Sequence, residues 1–481
     1  TAQYEWPPLT VWPVPTVLYE CNVPGRAGPT TLAPGWAIHI DDALKSNAII
    51  TSAVDRYTPL LTPSVKSGPY SFLKNITITV ADLSKSTDDL NINTNYSYSI
   101  SMTSGGSTAV LSAETQWGVA YALETLSQML DDPSCNQFTV VDSPRFPHRG
   151  IMIDTGRRFY PVPLVKNIMD GMALTKMNVL HFHLSEECFR VQSHVFPELT
   201  AQCQDSHGYT NTEIYSQSDV ADLVAYGRDR GIRVVPEFDM PGHSGGFCTN
   251  LKGAGIQCCG SQIEDDPAGK SASIIKQILS EMAALFPDPV MNLGCDETGS
   301  SPPCTTANTK SFEVKMIEHL LSIGKQPMGW EEILFKTGAA AGYPSVIVDS
   351  WARTSWSQAA AQGHPVVDSR VAPFYLDYPG HSARSMWLDL TDGITNETLL
   401  PHLLGGEVSM WSDQYVQSCM FQSPSADANF SESTSGCIWP RSVIAAGSFW
   451  GYSDKINASD LSFNASFYLM QRRLAARGVS S

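Results

Sequence analysis

The run Gly231-Ile-Arg-Val-Val-Pro-Glu-Phe-Asp239 opens on a turn-forming glycine, continues in β-branched residues and ends on acids. That length and composition suit a strand buried on both faces, as in a parallel sheet. The residues just before it, 218–230, carry the apolar spacing of a helix. Before that helix, Asn178-Val-Leu-His-Phe-His183 repeats the strand pattern with polar residues at its end. Further out, Gly150-Ile-Met-Ile-Asp154 and a helix over 163–176 make an earlier unit, and Val290-Met-Asn-Leu-Gly294 begins a later one. More strands are predicted over 327–330, 345–351, 365–368 and 405–411. Repeated β-α units of this kind predict an α/β fold, a (β/α)8 TIM-type barrel. An open doubly wound sheet is the competitor, but no glycine-rich phosphate loop follows the first strand.

Upstream the pattern differs. Residues 76–80 and 96–100 alternate as half-buried strands, and 115–130 carries apolar residues at helical spacing until Asp131-Asp132-Pro133 ends it. The turn formers of Asp142-Ser-Pro-Arg-Phe-Pro147 read as a linker. The expected organisation is a smaller N-terminal α+β domain over 1–143 and the barrel over 144–481.

Composition narrows the partners. The 31 basic and 48 acidic side chains leave a net charge of −17 with no block of like charge. Nucleic acid and anionic membrane both reward clustered Lys and Arg, so neither is an expected partner. No apolar run is long enough to span a bilayer. The chain opens on Thr1, and six Asn-x-Ser/Thr triplets stand at Asn75, Asn95, Asn396, Asn429, Asn457 and Asn464. Together with 11 cysteines they predict a secreted, or lysosomal or vacuolar, N-glycosylated protein with disulfides. Cys258 or Cys259 is expected to bridge to Cys304, Cys419 to Cys437, and Cys295 to stay free. A zinc site is disfavoured, because neither paired Cys-x-x-Cys motifs nor a His-x-x-x-His helix occurs.

Asp154, His181, His183, Glu237, Asp239, Glu331 and Glu407 all fall at or near the predicted strand ends, and Asp296-Glu297 follows Gly294. The carboxyl ends of the strands are where barrel enzymes carry their chemistry.

Several of these stretches are family motifs in sequence order. Phe146-Pro-His-Arg-Gly150 with Asp154-Thr-Gly-Arg157 resembles the opening of the catalytic barrel in family 20 of the glycoside hydrolases, the β-N-acetylhexosaminidases. Asn178–His183 and Arg233-Val-Val-Pro-Glu-Phe-Asp-Met-Pro-Gly-His243 resemble its second- and third-strand motifs. Gly294-Cys-Asp-Glu297 resembles the catalytic Gly-Gly-Asp-Glu, and Gly405-Gly-Glu-Val-Ser-Met-Trp411 the eighth-strand motif.

The resemblance implies hydrolysis of terminal β-linked N-acetylhexosamine in which the sugar's own 2-acetamido group attacks the anomeric carbon. Two adjacent carboxylates suit that route, since they cannot easily flank a glycosidic bond as acid and nucleophile. Asp296 would orient the acetamide and stabilise the oxazolinium, Glu297 would act as general acid and then base, and Tyr375 would hold the acetamido carbonyl. Glu186 and His243 would support the acid; Arg157, Asp377 and Asp413 would bind hydroxyls; Trp330, Trp351 and Trp411 would wall the pocket. No metal or other cofactor is implied, the partner is a carbohydrate, and a homodimer is the assembly that family analogy suggests.

Four positions depart from the family pattern. Ser185-Glu186-Glu187 stands where Val-Asp-Asp is usual, Asn292 for a common histidine, Cys295 for a glycine and Asp413 for a glutamate. Two rivals remain. One is a catalytically silent carbohydrate-binding protein, against which the intact Asp296, Glu297, Tyr375 and Arg157 argue. The other is a metal-dependent hydrolase using His181, His183, Glu237 and His243, which the resemblance accounts for as buried hydrogen-bonding groups.

Overall fold

The computed structural model describes residues 11–19, 30–65, 71–81, 90–102, 106–131, 137–203, 213–378, 381–412, 438–456, 458 and 461–479. The N-terminal part is a sheet of β1 (Val17–Tyr19), β2 (Thr30–Ile40), β3 (Ser71–Val80), β4 (Tyr98–Met102), β5 (Thr108–Ala113) and β6 (Thr139–Asp142). Its order is β1-β6-β4-β5-β3-β2, with β2, β3 and β5 parallel and the rest antiparallel. The strands foreseen near 76–80 and 96–100 lie within β3 and overlap β4. A helix over Gln116–Leu130 begins after Thr115, and every one of its 15 residues is buried. Such a helix has no solvent face, which explains why its sequence lacks a charged stripe.

The barrel closes through β7 (His148–Asp154), β8 (Val179–His183), β9 (Arg233–Glu237), β12 (Val290–Asn292), β13 (Gln326–Trp330), β14 (Ile347–Ser350), β15 (Val366–Asp368) and β16 (Leu403–Met410). The intervening β10 (Cys258–Cys259) and β11 (Gln262–Ile263) form a small antiparallel hairpin. All barrel pairings are parallel, and β16 closes on β7 with Gly405 opposite His148 through Met410 opposite Ile153. The eight-stranded closed barrel is therefore the fold expected, with strand limits displaced by one or two residues.

Alternation along each strand sorts side chains into two compartments. Leu180, Phe182, Val234, Met291 and Leu293 join the large core that also takes in apolar faces of the outer helices. Val179, Val235, Val290, Met328, Ile347 and Val367 form a separate apolar plug inside the barrel. Two residues further along the same strands come His181, Glu237, Asn292, Trp330 and Asp349, so the interior turns polar toward the carboxyl ends. That switch from plug to polar layer positions the site.

Three disulfides are formed among the described residues: Cys188–Cys203, Cys248–Cys258 and Cys259–Cys304. Cys259 is thus the partner of Cys304, and Cys258 turns to Cys248. Cys295 is free and buried. Cys419 and Cys437 lie outside the described residues.

Candidate active site

A pocket at the barrel mouth is lined by Arg157, His243, Asp296, Glu297, Trp330, Trp351, Tyr375, Asp377, Tyr378 and Trp411. Nine of these were expected from the sequence; Tyr378, about half exposed at the rim, was not. Nothing in its local sequence distinguishes it from an ordinary loop tyrosine. Asp413 lies outside the described residues. Glu186 is placed just behind the pocket, against His243.

The catalytic candidates follow β12 on a tight turn. Gly294 has φ +70°, and a Cβ there would collide with the Asp239 carboxylate. Cys295 and Glu297 also take positive φ, +73° and +43°, as does His243 at +46°. Non-glycine residues are uncommon in that region and gather where a site over-determines the backbone. The turn is tied down by Asp239, whose Oδ1 accepts from Cys295 N at 3.2 Å.

The result places both carboxylates on one imidazole. His243 Nε2 lies 3.4 Å from Glu297 Oε2 and 3.7 Å from Asp296 Oδ2. Glu297 is outward and its side chain 60% exposed, whereas Asp296 is buried with no hydrogen-bond partner for Oδ1 among the described residues. Burial, aided by the nearby Glu237 charge, raises the Asp296 carboxyl above the usual aspartate range against the pull of His243. The hydrogen bond from His243 holds Glu297 below its ordinary value despite partial burial. Burial lowers the His243 imidazole, but Asp296, Glu186 and Glu297 more than reverse this and raise it well above its ordinary value.

Support comes from the loops after β7 and β8. Arg157 Nη1 bonds Asp154 Oδ2 at 3.0 Å, its Nη2 lies 2.9 Å from Glu186 Oε1, and its guanidinium sits 5.2 Å over the Trp411 ring. Glu186 Oε2 is 3.0 Å from His243 Nδ1, so the glutamate in place of the family aspartate reaches the histidine.

Aromatic rings close the floor. Trp351 and Tyr375 lie parallel at 6.1 Å, and Trp330 meets Trp411 at 5.7 Å. Trp330 Nε1 donates to Glu237 Oε1 at 2.7 Å, and Trp351 Nε1 to Glu332 Oε2 at 3.1 Å. Glu331 organises the Trp351 loop by accepting from Arg353 N at 2.7 Å and Thr354 Oγ1 at 2.7 Å. Tyr375 is set by the Tyr375–Ser409 bridge to β16. Engaged in this way, the buried Trp330 indole and the partly buried Trp351 indole are fixed in orientation.

Three clusters have His and acid ligand atoms within 4.8 Å of one another: His181, Asp349 and Glu407; His183, Glu186 and Asp239; Asp239, His243 and Asp296. In each, the imidazole nitrogens already face carboxylates at ion-pair distance. The histidines are thus engaged in acid–imidazole pairs, while Asp349 Oδ2, Asp239 Oδ2 and Asp296 Oδ1 have no hydrogen-bond partner among the described residues.

Comparison with known proteins agrees with this geometry. Residues 146–452 match the family described as "Glycosyl hydrolase family 20, catalytic domain", and 11–129 one described as "beta-acetyl hexosaminidase like". The chain is 31% identical over 391 residues to the β-hexosaminidase subunit β of Homo sapiens, a match covering 73% of this chain and 66% of that one. It is 28% identical over 503 residues to β-hexosaminidase subunit B2 of Dictyostelium discoideum, covering 94% and 83%. The match thus spans just under two thirds of the human subunit's length. In structure it resembles Flavobacterium johnsoniae chitobiase with TM-score 0.77 at 24% identity, covering 98% of this chain and 73% of that one. It also resembles Streptomyces plicatus N-acetyl-β-hexosaminidase in complex with Thio-NAglucal, with TM-score 0.72 at 21% identity and coverage of 99% and 97%. With the family's catalytic domain matched over most of the chain, and its barrel and pocket in place, this protein belongs to glycosyl hydrolase family 20.

Proposed function

We propose that the chain is a β-N-acetylhexosaminidase that releases terminal non-reducing β-linked GlcNAc or GalNAc by substrate-assisted, retaining hydrolysis. The observation that carries the reading is the placement of Asp296 and Glu297 side by side on one nitrogen of His243. Carboxylates so placed share one side of the pocket, so they do not flank the bond as the usual acid and nucleophile do. The nucleophile is then the substrate's acetamido oxygen.

In the bound complex the sugar lies against Trp411 with its acetamide enclosed by Trp330, Trp351 and Tyr375. Asp296 accepts the acetamide N–H through an oxygen of its carboxylate, Oδ1 having no hydrogen-bond partner among the described residues, and the Tyr375 hydroxyl donates to the carbonyl, aiming that oxygen at the anomeric carbon. Glu297, at the open side, protonates the leaving oxygen as the acetamide attacks. The resulting oxazolinium bears positive charge beside Asp296, whose poorly solvated carboxylate gains most at that moment. Water then enters at the anomeric carbon, giving its proton to Glu297. Sugar binding covers Glu297 and excludes water, raising the carboxyl that His243 otherwise holds low. Arg157 and Asp377 take the ring hydroxyls, joined by Asp413.

Three disulfides and exposed triplets at Asn95 and Asn396 support an N-glycosylated protein of an oxidising compartment, secreted or lysosomal. Among the described residues, no helix is long and apolar enough to cross a membrane. The test is a side-by-side assay on aryl β-N-acetylglucosaminide, β-N-acetylgalactosaminide and β-glucoside. Turnover of the two acetamido sugars, unaffected by EDTA, is expected; efficient cleavage of the glucoside, or loss of activity with chelator, refutes the reading.

A further inference from the structure

Beneath the pocket, carboxylates and imidazoles alternate in an unbroken chain through the barrel. His148 Nε2 faces Glu407 Oε2 at 2.9 Å, and Glu407 Oε1 faces His181 Nδ1 at 2.7 Å. His181 Nε2 faces Glu237 Oε2 at 2.9 Å, and the same oxygen faces His183 Nδ1 at 2.6 Å. His183 Nε2 faces Glu186 Oε1 at 3.0 Å, and Glu186 Oε2 faces His243 Nδ1 at 3.0 Å. The chain ends on Glu297, 3.4 Å beyond His243. From Glu407 to Glu186 no member is more than 2% exposed.

Chemistry fixes what such a chain holds. A carboxylate only accepts, so every imidazole–carboxylate link needs a proton of its own. His183, hydrogen-bonded to a carboxylate at each nitrogen, is therefore held as an imidazolium between anions, whereas His181 Nε2 also receives the Asn292 amide at 3.1 Å. Burying ions costs several kcal/mol apiece even when they are paired. One layer below, the same strands fill the barrel with aliphatic side chains. Packing alone does not call for charge here; the layer that supports the acid has it.

We propose that His183 and Glu237 are positioning residues which keep Glu186 ionised, so that His243 stays protonated and aimed at Glu297 and the barrel interior sets the acid limit of turnover. This rests on the reading of Glu297 as the general acid. Neither residue lines the pocket: His183 reaches the acid through Glu186 and Glu237 through His183, while Glu237 also holds the Trp330 indole and its charge raises Asp296. The groups facing Glu186 are Arg157 from the loop after β7, His183 from β8, Asp239 and His243 after β9, and Asp296 and Glu297 after β12, while Asp154 acts on Arg157 and His183. Around His181 stand Asn292 at 3.1 Å, Asp349 and Glu407. Burial pushes the Glu186 carboxyl up, but Arg157, His183 and His243 together bring it down to about 2. Burial likewise lowers His183, and Glu237 and Glu186 raise it to about 10.

The sign follows. Glu186 is depressed, so its charge is lost as pH falls through its folded value, and removing a cationic partner moves that point upward. His183→Gln is the informative variant, because it removes the imidazolium beside Glu186 and leaves the Glu237 charge near Asp296 in place. The acid limb of its kcat profile should move about one to three pH units higher, with KM for the aryl N-acetylglucosaminide within about twofold; Glu237→Gln should move it less, because losing that charge also lowers Asp296. An unmoved acid limb in folded variants overturns the proposal. A measurement on the unaltered protein does not depend on variant folding. In ¹⁵N-histidine-labelled protein, His183 should show two protonated ring nitrogens at pH 8. Neutral-tautomer signals there overturn it too. Glu297→Gln assayed in parallel separates the two levels, since its full activity would reject the acid assignment and leave the charge chain to be judged by the spectra.

Discussion

Cys295 at φ +73° and Glu297 at φ +43° bracket Asp296, and this local backbone explains why the family places glycine where the chain has cysteine. An L-residue in the left-handed region costs about 1–2 kcal/mol, which the buried contacts of this turn must offset. The cysteine is tolerated because its side chain is buried in the core and its N–H is held by Asp239. Burial, with Glu313 and nearby aspartates adding to it, pushes its thiol well above the ordinary range, so it is not a nucleophile. The pair itself was legible from Gly294-Cys-Asp-Glu297, as was the support of His243 by Glu186. What the sequence could not convey was that Glu297 faces solvent while Asp296 is enclosed, since that depends on the φ values of neighbouring residues. Glu297→Gln should lower kcat by about 10²–10⁴-fold, the usual worth of general acid–base catalysis, with the melting temperature unchanged. Activity within a few-fold of the parent would show that another group supplies the proton.

At the scale of elements, the hairpin of β10 and β11 is stitched on both sides, by Cys248–Cys258 and Cys259–Cys304. The second bridge closes a loop of sequence separation 45 that contains Asp296 and Glu297. Replacing Cys259 and Cys304 by alanine should cost about 2–4 kcal/mol in denaturant unfolding and reduce turnover by loosening that loop. Peptide mapping supplies the independent check: without reduction Cys304 should resist alkylation, and Cys295 should react only after unfolding. Alkylation of Cys304 in unreduced protein would contradict the pairing. The barrel strands were readable because each is a short apolar run between turn formers. Their ends were less so, since residues such as Asp239 and Leu293 continue the pattern past the last ladder pairing. Which of the adjacent Cys258 and Cys259 meets Cys304 needed the hairpin, whose register points the two in opposite directions.

Across the whole molecule, the N-terminal sheet is fastened to the barrel through its buried helix and the C-terminal helix Leu461–Ala476. Glu124 on the first pairs with Arg477 just past the second, and Gln128 receives Arg473 Nη1 at 2.9 Å. Lys176 reaches from the barrel to Asp142 at 3.0 Å and Tyr98 at 2.7 Å, all fully or nearly buried. The Glu124 and Gln128 contacts join residues 353 and 345 positions apart and those of Lys176 residues 34 and 78 apart, which no local pattern reveals; the sequence suggested two domains and gave no hint of charged groups sealed between them. Because Glu124 is wholly buried, removing Arg477 takes away its main counter-charge, leaving the Gln128 amide and the more distant Arg473. Arg477→Ala should therefore cost about 3–5 kcal/mol, read as a lower denaturant midpoint at unchanged slope. A loss under about 0.5 kcal/mol, the ordinary surface value, would show that the contact does not hold the domains together.

The central claim is that the substrate's acetamide is the nucleophile, held by Asp296 and Tyr375. Inhibition by a thiazoline analogue of the bicyclic oxazolinium tests this most directly, because the site should favour the geometry and charge that arise during reaction. The account predicts binding at least about 10²-fold tighter than substrate, as for transition-state mimics. Binding no tighter than that of free N-acetylglucosamine would contradict it.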